Sequence, residues 1–169
     1  MFCSFAAMVL LGQAGAAVMP AADVTAQVIH SVAERAKAEN IVDTPIRTVD
    51  AGGHHIGVAL VYRPAATNIA GGAVHNEVTE IYHVLEGSAT LVTGGTLVNP
   101  KVRENTPRRM ALNGPGVSGT AIEGGESRSI GKGDIIIIPA GTPHAFPEIQ
   151  EDITYTVVRV DPGQVMTLK

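Results

Sequence analysis

The stretch that decides the fold is Gly133-Asp-Ile-Ile-Ile-Ile-Pro139-Ala-Gly141-Thr-Pro-His144-Ala-Phe-Pro-Glu148. Its β-branched apolar run is typical of a buried strand. The Pro-x-Gly sequence that follows cannot continue the strand and turns the chain sharply. The stretch therefore predicts a strand, a tight turn and a histidine presented just past that turn.

A second informative segment lies upstream, at His75-Asn-Glu-Val-Thr-Glu80-Ile-Tyr-His-Val-Leu-Glu-Gly87. We expect a loop histidine here, followed by a strand that begins near Glu80. Because side chains alternate along a strand, Glu80 and Tyr82 share one face and His83 lies on the other. Burial of a glutamate beside aliphatic neighbours is costly unless a positive group neutralises it, so the segment also predicts a partner for Glu80.

Short β-branched runs separated by Gly, Pro and Asn continue through most of the chain, and no second long helix is predicted between them. Their spacing, without intervening helices, indicates an all-β sandwich, jelly roll or barrel. The predicted strands are Ile41–Val49, His54–Arg63, Val78–Leu85, Ser88–Thr93, Gly119–Glu123, Ser127–Ile130, Asp134–Ile138 and Ile153–Val160.

One long segment, Gly94–Gly116, has no strand alternation and contains three prolines. It also carries Lys101, Arg103, Arg108 and Arg109. Long connections in compact domains are often lids or binding loops, so we expect this one to lie near a site.

The N-terminus has the features of a secretory signal peptide. An apolar run, Phe2–Leu11, precedes Ala14-Gly15-Ala16, a small-x-small cleavage site, so residues 1–16 form the predicted signal and Ala17 begins the mature chain. A basic n-region is missing, since the first basic residue is Arg35. An apolar N-terminal helix is the alternative, whereas a membrane span needs a longer unbroken run.

The single cysteine, Cys3, falls inside this predicted signal. A mature protein without cysteine has no disulfides and no thiolate metal ligands, which leaves histidine and carboxylate side chains. Downstream, apolar residues recurring every four positions predict a helix over residues 23–40 with Asp23 as its cap. The β-domain then occupies residues 41–169.

Composition excludes several classes of protein. The chain of 169 residues has 16 acidic against 12 Lys and Arg residues, a formal net charge of -4, which disfavours nucleic acid or an anionic membrane as a partner. Apolar residues at 45% and charged residues at 17% exclude a disordered chain.

The two informative segments resemble the paired motifs of the cupin superfamily. The second motif matches at Gly133, Pro139, Gly141 and His144, with Glu148 where asparagine is usual. The first matches through the gaps His75-x4-Glu80-x6-Gly87, but its first histidine is replaced by Ala73. Together the matches cover roughly residues 72–148, and four spacings agree at once.

This resemblance implies a double-stranded β-helix, or jelly-roll, barrel that holds one divalent transition metal ion, often in a homodimer. The implied ligands are His75, Glu80 and His144. Two histidines and one carboxylate form the facial set that leaves coordination positions open on iron(II), while Mn, Ni, Zn and Cu also accept such ligands. The alternative is a degenerate cupin that lost its metal together with the histidine at position 73.

Other side chains are candidates for the same site. His54 or His55, at the start of a predicted strand, is a candidate replacement for the missing ligand. Tyr82, on the same face as Glu80, is a candidate catalytic proton donor. Arg108 and Arg109 are candidate contacts for an anionic substrate.

Two functions follow from these features. The first is a periplasmic or secreted metal-dependent enzyme, of dioxygenase, lyase or isomerase type, acting on a small oxygenated or acidic molecule. The second is a non-catalytic cupin that binds a small ligand or serves as a dimeric structural module.

Overall fold

In the computed structural model, which describes residues 20–65 and 71–169, antiparallel strands form most of the regular structure. The elements are α1 (Ala26–Glu39), β1 (Asp43–Asp50), β2 (His55–Arg63), β3 (Gly72–His75), β4 (Thr79–Thr93), β5 (Thr96–Val98), β6 (Lys101–Val102), α2 (Pro107–Leu112), β7 (Gly116–Gly119), β8 (Ala121–Glu123), β9 (Glu126–Gly131), β10 (Ile135–Ile138) and β11 (His144–Asp161). The predicted all-β jelly roll is confirmed.

Two long strands, β4 and β11, organise the sheet. One path runs β1-β2-β11-β3-β7-β6, while β4 pairs with β11, β9 and β10; β5 and β8 form a separate ribbon. The pairing of β4 with β11 shifts register several times along its length, which bends both strands. Gly87 lies at one such bend with φ of +77°, and a Cβ there would approach Asp152 O to 2.0 Å. The motif glycine is therefore required by the backbone.

The barrel interior is filled from alternate positions of these strands. Val84, Leu91, Ile153 and Val157 are almost completely buried. In β4 the buried positions change from even to odd numbers across the bend at Gly87. The aromatic rings of the interior, Tyr82, Phe146 and Tyr155, pack against one another. The aliphatic and aromatic interior fixes the strands that carry the candidate site.

Helix α1 packs on the outside of the sheet. Ala33 and Ala36 bury Leu60 and Tyr62 on the outward face of β2. The predicted cap at Asp23 is wrong: Thr25 is the N-cap, and its hydroxyl accepts a hydrogen bond from Val28 N.

Several predicted strand limits differ from the structure. His75 ends a short strand, β3, which the sequence did not predict, so it is not a loop residue. The two predicted strands at 78–93 form one continuous strand, β4, and β11 already begins at His144. The segment 94–116 is not an unstructured loop, because it contains β5, β6 and the six-residue helix α2.

The predicted signal peptide over residues 1–16 and Cys3 lie outside the described residues. Along residues 20–65 and 71–169, no helix combines the length and the hydropathy needed to cross a bilayer.

Candidate metal centre

Three strands bring together the residues implied as ligands. His75 ends β3, Glu80 lies near the start of β4, and His144 begins β11. The Pro-x-Gly turn before His144 docks on the other two strands, because Gly141 N donates to His75 O at 2.8 Å and Ala140 N donates to the Thr79 hydroxyl at 3.1 Å. The turn thus holds His144 beside residues almost 70 positions earlier in the chain.

The three side chains converge on one point inside the barrel. His75 Nε2 and His144 Nε2 lie 3.6 and 3.7 Å from Glu80 Oε2, and one ligand atom from each residue lies within 4.8 Å of the others. All three side chains are buried. Among the described residues, no other group of three or more His, Cys, Asp or Glu side chains is close enough to hold a metal ion.

Both histidines are kept neutral. Burial lowers the pKa of His75 to about 3 and also lowers the pKa of His144. His144 Nδ1 lies 3.1 Å from Thr142 O, a carbonyl that only accepts, so the ring proton belongs on Nδ1. His144 Nε2 therefore directs its lone pair toward Glu80, as a metal ligand would.

Glu80 is buried as an anion, and two donors hold it in place. Arg159 Nε donates to Oε1 at 2.9 Å, and the Tyr82 hydroxyl donates to Oε2 at 2.7 Å. Burial alone would raise the pKa of Glu80, but the charge and the hydrogen bond of Arg159 oppose it, and the pKa is lowered to about 2. The positive partner that the sequence requires for Glu80 is Arg159.

Arg159 itself is shared between two carboxylates. Its Nη2 and Nη1 donate to the carboxylate oxygens of Asp43 at 2.7 and 3.3 Å, while Nε donates to Glu80. One guanidinium therefore pairs with both carboxylates. The cluster of Arg159, Asp43 and Glu80 has one negative charge in excess. That excess is suited to a cation bound next to Glu80.

These residues fit a divalent transition metal ion. Two neutral imidazole nitrogens and a carboxylate oxygen, with no proton to displace at neutral pH, form a suitable donor set. The second lone pair of Glu80 Oε2 remains for an ion while the first accepts from Tyr82. Ala73, at the place of the missing motif histidine, lines the same cavity and pairs with His144 across β3 and β11.

A cavity of about 390 Å³ opens onto the three candidate ligands. Besides His75, Glu80, His144 and Tyr82, it is lined by Arg63, Arg103 and Arg159. The residues predicted as substrate contacts, Arg108 and Arg109, do not line it, because both belong to α2 and Arg109 Nε donates to Glu104 O at 2.8 Å. The substrate contacts predicted at Arg108 and Arg109 therefore lie outside the lining of this cavity, and their role stays a prediction.

The structure does not bring His54 or His55 into the cluster. His55 is buried, but its Nδ1 lies 2.9 Å from Met166 O, at the end of the chain. His54 is half-buried next to the turn at Gly52 and Gly53. The missing ligand therefore has no histidine replacement among the described residues.

Tyr82 lies where the alternation places it, buried on the face of Glu80. Burial, together with the charge of Glu80, raises the pKa of Tyr82 well above its ordinary value, so the hydroxyl keeps its proton. Its partner is Glu80, which makes Tyr82 a positioning residue for the ligand set. A direct catalytic role for Tyr82 stays a prediction.

Four residues of the site were not predicted as site residues from their sequence context: Arg159, Asp43, Arg103 and Arg63. A signal for Arg159 exists, because it shares the inward face of β11 with Tyr155 and Val157, where a charged residue is exceptional. Arg103 follows the two-residue strand β6, for which the sequence has no alternation to reveal a face.

Comparisons with known proteins find similarity of structure alone: no family model matches the chain, and no curated protein matches it. A Bacillus halodurans protein, BH2720, is 17% identical with a TM-score of 0.48, over 85% of this chain and 83% of that one. The DMSP lyase DddQ from Ruegeria pomeroyi is 20% identical with a TM-score of 0.40, over 67% of this chain but only 46% of the lyase. The cupin domain of Schizosaccharomyces pombe Cnp3 is 9% identical with a TM-score of 0.43, over 70% and 64% of the two chains. The strand order and the motif positions of this chain itself carry the fold assignment.

Proposed function

We propose that this protein of the cupin fold is a metal-dependent enzyme that acts on a small oxygenated or acidic molecule. One observation carries the proposal: His75 Nε2, His144 Nε2 and Glu80 Oε2 converge, buried, on a cavity of about 390 Å³. A buried group of two histidines and a carboxylate that faces a cavity of this size is suited to bind a metal and a small ligand together.

The metal ion would be held by His75, Glu80 and His144, and it would supply Lewis-acid or oxygen-activating chemistry. Fe, Mn, Ni, Zn and Cu are all compatible with two imidazoles and a carboxylate. With three protein ligands, the set leaves positions for the substrate to occupy. The reaction type, whether oxygenation, elimination or isomerisation, depends on how the substrate is oriented in the cavity.

The remaining residues of the cluster orient the ligands. Arg159 keeps Glu80 ionised and fixes one carboxylate oxygen, while Tyr82 fixes the other. Thr142 O fixes the ring of His144 through Nδ1. Partners of this kind set the orientation and basicity of metal ligands, so we assign them a positioning role.

A non-catalytic binding module is the second candidate, and one observation favours it. Ala73 occupies the place of a motif histidine, so the chain offers three protein ligands where the motif offers four. A module that binds a small ligand in the same cavity, without a resident metal, would need only the arginines and the aromatic rings of the barrel.

Metal analysis of untagged wild-type protein separates the two candidates. We expect about one equivalent of a transition metal, as purified or after supplementation with Fe, Mn, Ni, Zn or Cu. Ala73→His should bind the metal more tightly, since it adds an imidazole opposite His144. Absence of bound metal in every condition would overturn the enzyme proposal and leave the binding module.

A periplasmic or secreted location and a homodimeric state stay predictions. The sequence features of residues 1–16 support the first, and N-terminal sequencing of protein from the native host, which should start near Ala17, tests it. The exposed side chains of Ile135 and Ile137 on β10 are the apolar surface to monitor when the oligomeric state is measured by light scattering.

A further inference from the structure

The charges around the cavity are unequal. Three arginines but only two carboxylates line it. Both carboxylates, Asp43 and Glu80, are paired with Arg159. The other two arginines, Arg63 and Arg103, therefore face the cavity without a carboxylate of their own.

Arg103 has the least satisfied side chain of the three. Its backbone N donates to Gly116 O at 2.9 Å, but its guanidinium makes no hydrogen bond or ion pair with the described residues. Nη1 is buried without a partner and lies next to Gly116, the residue that pairs with His75. A buried guanidinium nitrogen without an acceptor is unfavourable, so this position is suited to an anionic ligand.

Arg63 is the second arginine that lines the cavity without a carboxylate partner. Its Nε donates to the Tyr155 hydroxyl at 3.2 Å, and its guanidinium carbon lies 4.8 Å from the centre of the Phe146 ring. Phe146 is two residues beyond His144 on β11, so Arg63 adds its charge on the His144 side. These contacts fix the side chain and leave its positive charge uncompensated.

We propose that the cavity binds a small organic acid and that Arg103 pairs with its carboxylate, while Arg63 supplies a second positive charge. The proposal rests on the proposed function, since it names the substrate class of the same site. A planar guanidinium matches a carboxylate in a two-pronged geometry, and the neighbouring metal position is open to another oxygen of the same molecule. A cavity of about 390 Å³ has room for a small organic acid.

The test is a calorimetric titration of the purified protein with succinate, acetate, inorganic phosphate and succinamide, alongside its metal content. We expect succinate to bind and uncharged succinamide not to bind. Arg103→Gln should weaken succinate binding at least tenfold, and Arg103→Lys should weaken it less because it keeps the charge. Arg108→Gln, an equal change of charge on the exposed face of α2, should leave the affinity within twofold.

The experiment can refute the carboxylate-binding proposal without refuting the proposed metal site. Arg103→Gln should keep the metal content of the wild type, since Arg103 is no candidate ligand. Repeating the succinate titration on chelator-treated protein should give weaker binding that still depends on Arg103. Equal affinity for succinate in wild type and Arg103→Gln, or tighter binding of phosphate than of succinate, would overturn the carboxylate assignment while leaving the metal site intact.

Discussion

The two halves of the barrel interior are built from the same two strands, β4 and β11, yet they bury different chemistry. One half packs Leu91 and Ile153 in an aliphatic core, and the other buries Glu80 and Arg159. Buried ion pairs are often no more stabilising than apolar side chains of the same size. Stability explains the aliphatic half, whereas under the proposed function the ionic half is explained by a ligand that needs charge at that place.

The largest expected effect comes from removing the shared cation of the ionic half. Arg159→Met leaves Glu80 and Asp43 without a counter-charge, and we expect the free energy of unfolding to fall by about 3–5 kcal/mol. Urea denaturation of chelator-treated protein at pH 7.5 measures this loss. Zn²⁺ at saturating concentration should recover part of it, because an ion that binds the folded state next to Glu80 stabilises that state. An unchanged stability would mean that Arg159 does not compensate the two carboxylates.

The aliphatic half should affect stability alone. Leu91 is fully buried, and Leu91→Ala should lower the free energy of unfolding by about 2–5 kcal/mol through lost burial and a new cavity. The folded variant should retain wild-type metal stoichiometry, as measured by elemental analysis after gel filtration. Loss of metal from well-folded Leu91→Ala would show that the two halves are coupled and break the comparison.

The next largest effect should come from lowering the pH, because His75 and Glu80 in the ionic half have pKa values shifted by the fold. The folded-state pKa values of His75 and Glu80 are about 3 and 2, below their ordinary values, so the unfolded chain binds protons that the folded one does not. Stability is therefore highest above pH 6.5 and falls as the pH drops toward 3, by up to about 1.4 kcal/mol per pH unit for each such group. Urea denaturation of metal-free protein at pH 7.5, 6 and 5 measures how steeply the free energy of unfolding falls with pH.

His75→Gln is the control for that slope. The variant lacks one buried neutral imidazole, so its stability should fall less steeply between pH 6.5 and 4.5 than that of the wild type. Parallel slopes for the two proteins would show that His75 is not kept neutral by the fold.

The smallest effect concerns one hydroxyl. Tyr82→Phe removes the 2.7 Å hydrogen bond to Glu80 Oε2, at a cost of about 1 kcal/mol in stability and about 10-fold or more in metal affinity. Competition with a chromophoric chelator measures the affinity. Tyr62→Phe, which removes a hydroxyl bonded to Asp152 outside the barrel, is the matched control and should leave it unchanged. Equal affinities in the two variants would show that Tyr82 does not position Glu80 for metal binding.

Local sequence patterns predicted the parts of the fold and site that depend on neighbours in the chain. The alternation around Glu80 and Tyr82 predicted that both share one face of the strand, and both are buried. The Pro-x-Gly sequence predicted the turn that presents His144. Pairing between strands that are distant in the sequence could not be predicted from such local patterns. β3 is only four residues long, so its period-two pattern is too short to separate a strand from a loop at His75.

The charged partners of Glu80 were harder still to predict from the sequence. Arg159 meets Asp43 across 116 residues of sequence and Glu80 across 79, and only the closed sheet brings them together. The basic residues of the segment 94–116 illustrate the limit, since four lie within nine positions and Arg103 alone lines the cavity. Which of the four turns inward depends on the pairing of β6 with β7.

The most direct test of the central claim is X-ray absorption spectroscopy at the metal edge of the zinc-loaded protein. We predict a first shell with two imidazole nitrogens at about 2.0–2.1 Å and a carboxylate oxygen at about 2.0–2.2 Å. His144→Ala should lose one imidazole, or the metal altogether, whereas His83→Ala, on the exposed face of β4, should keep both. An identical shell in wild type and His144→Ala would contradict the site formed by His75, Glu80 and His144.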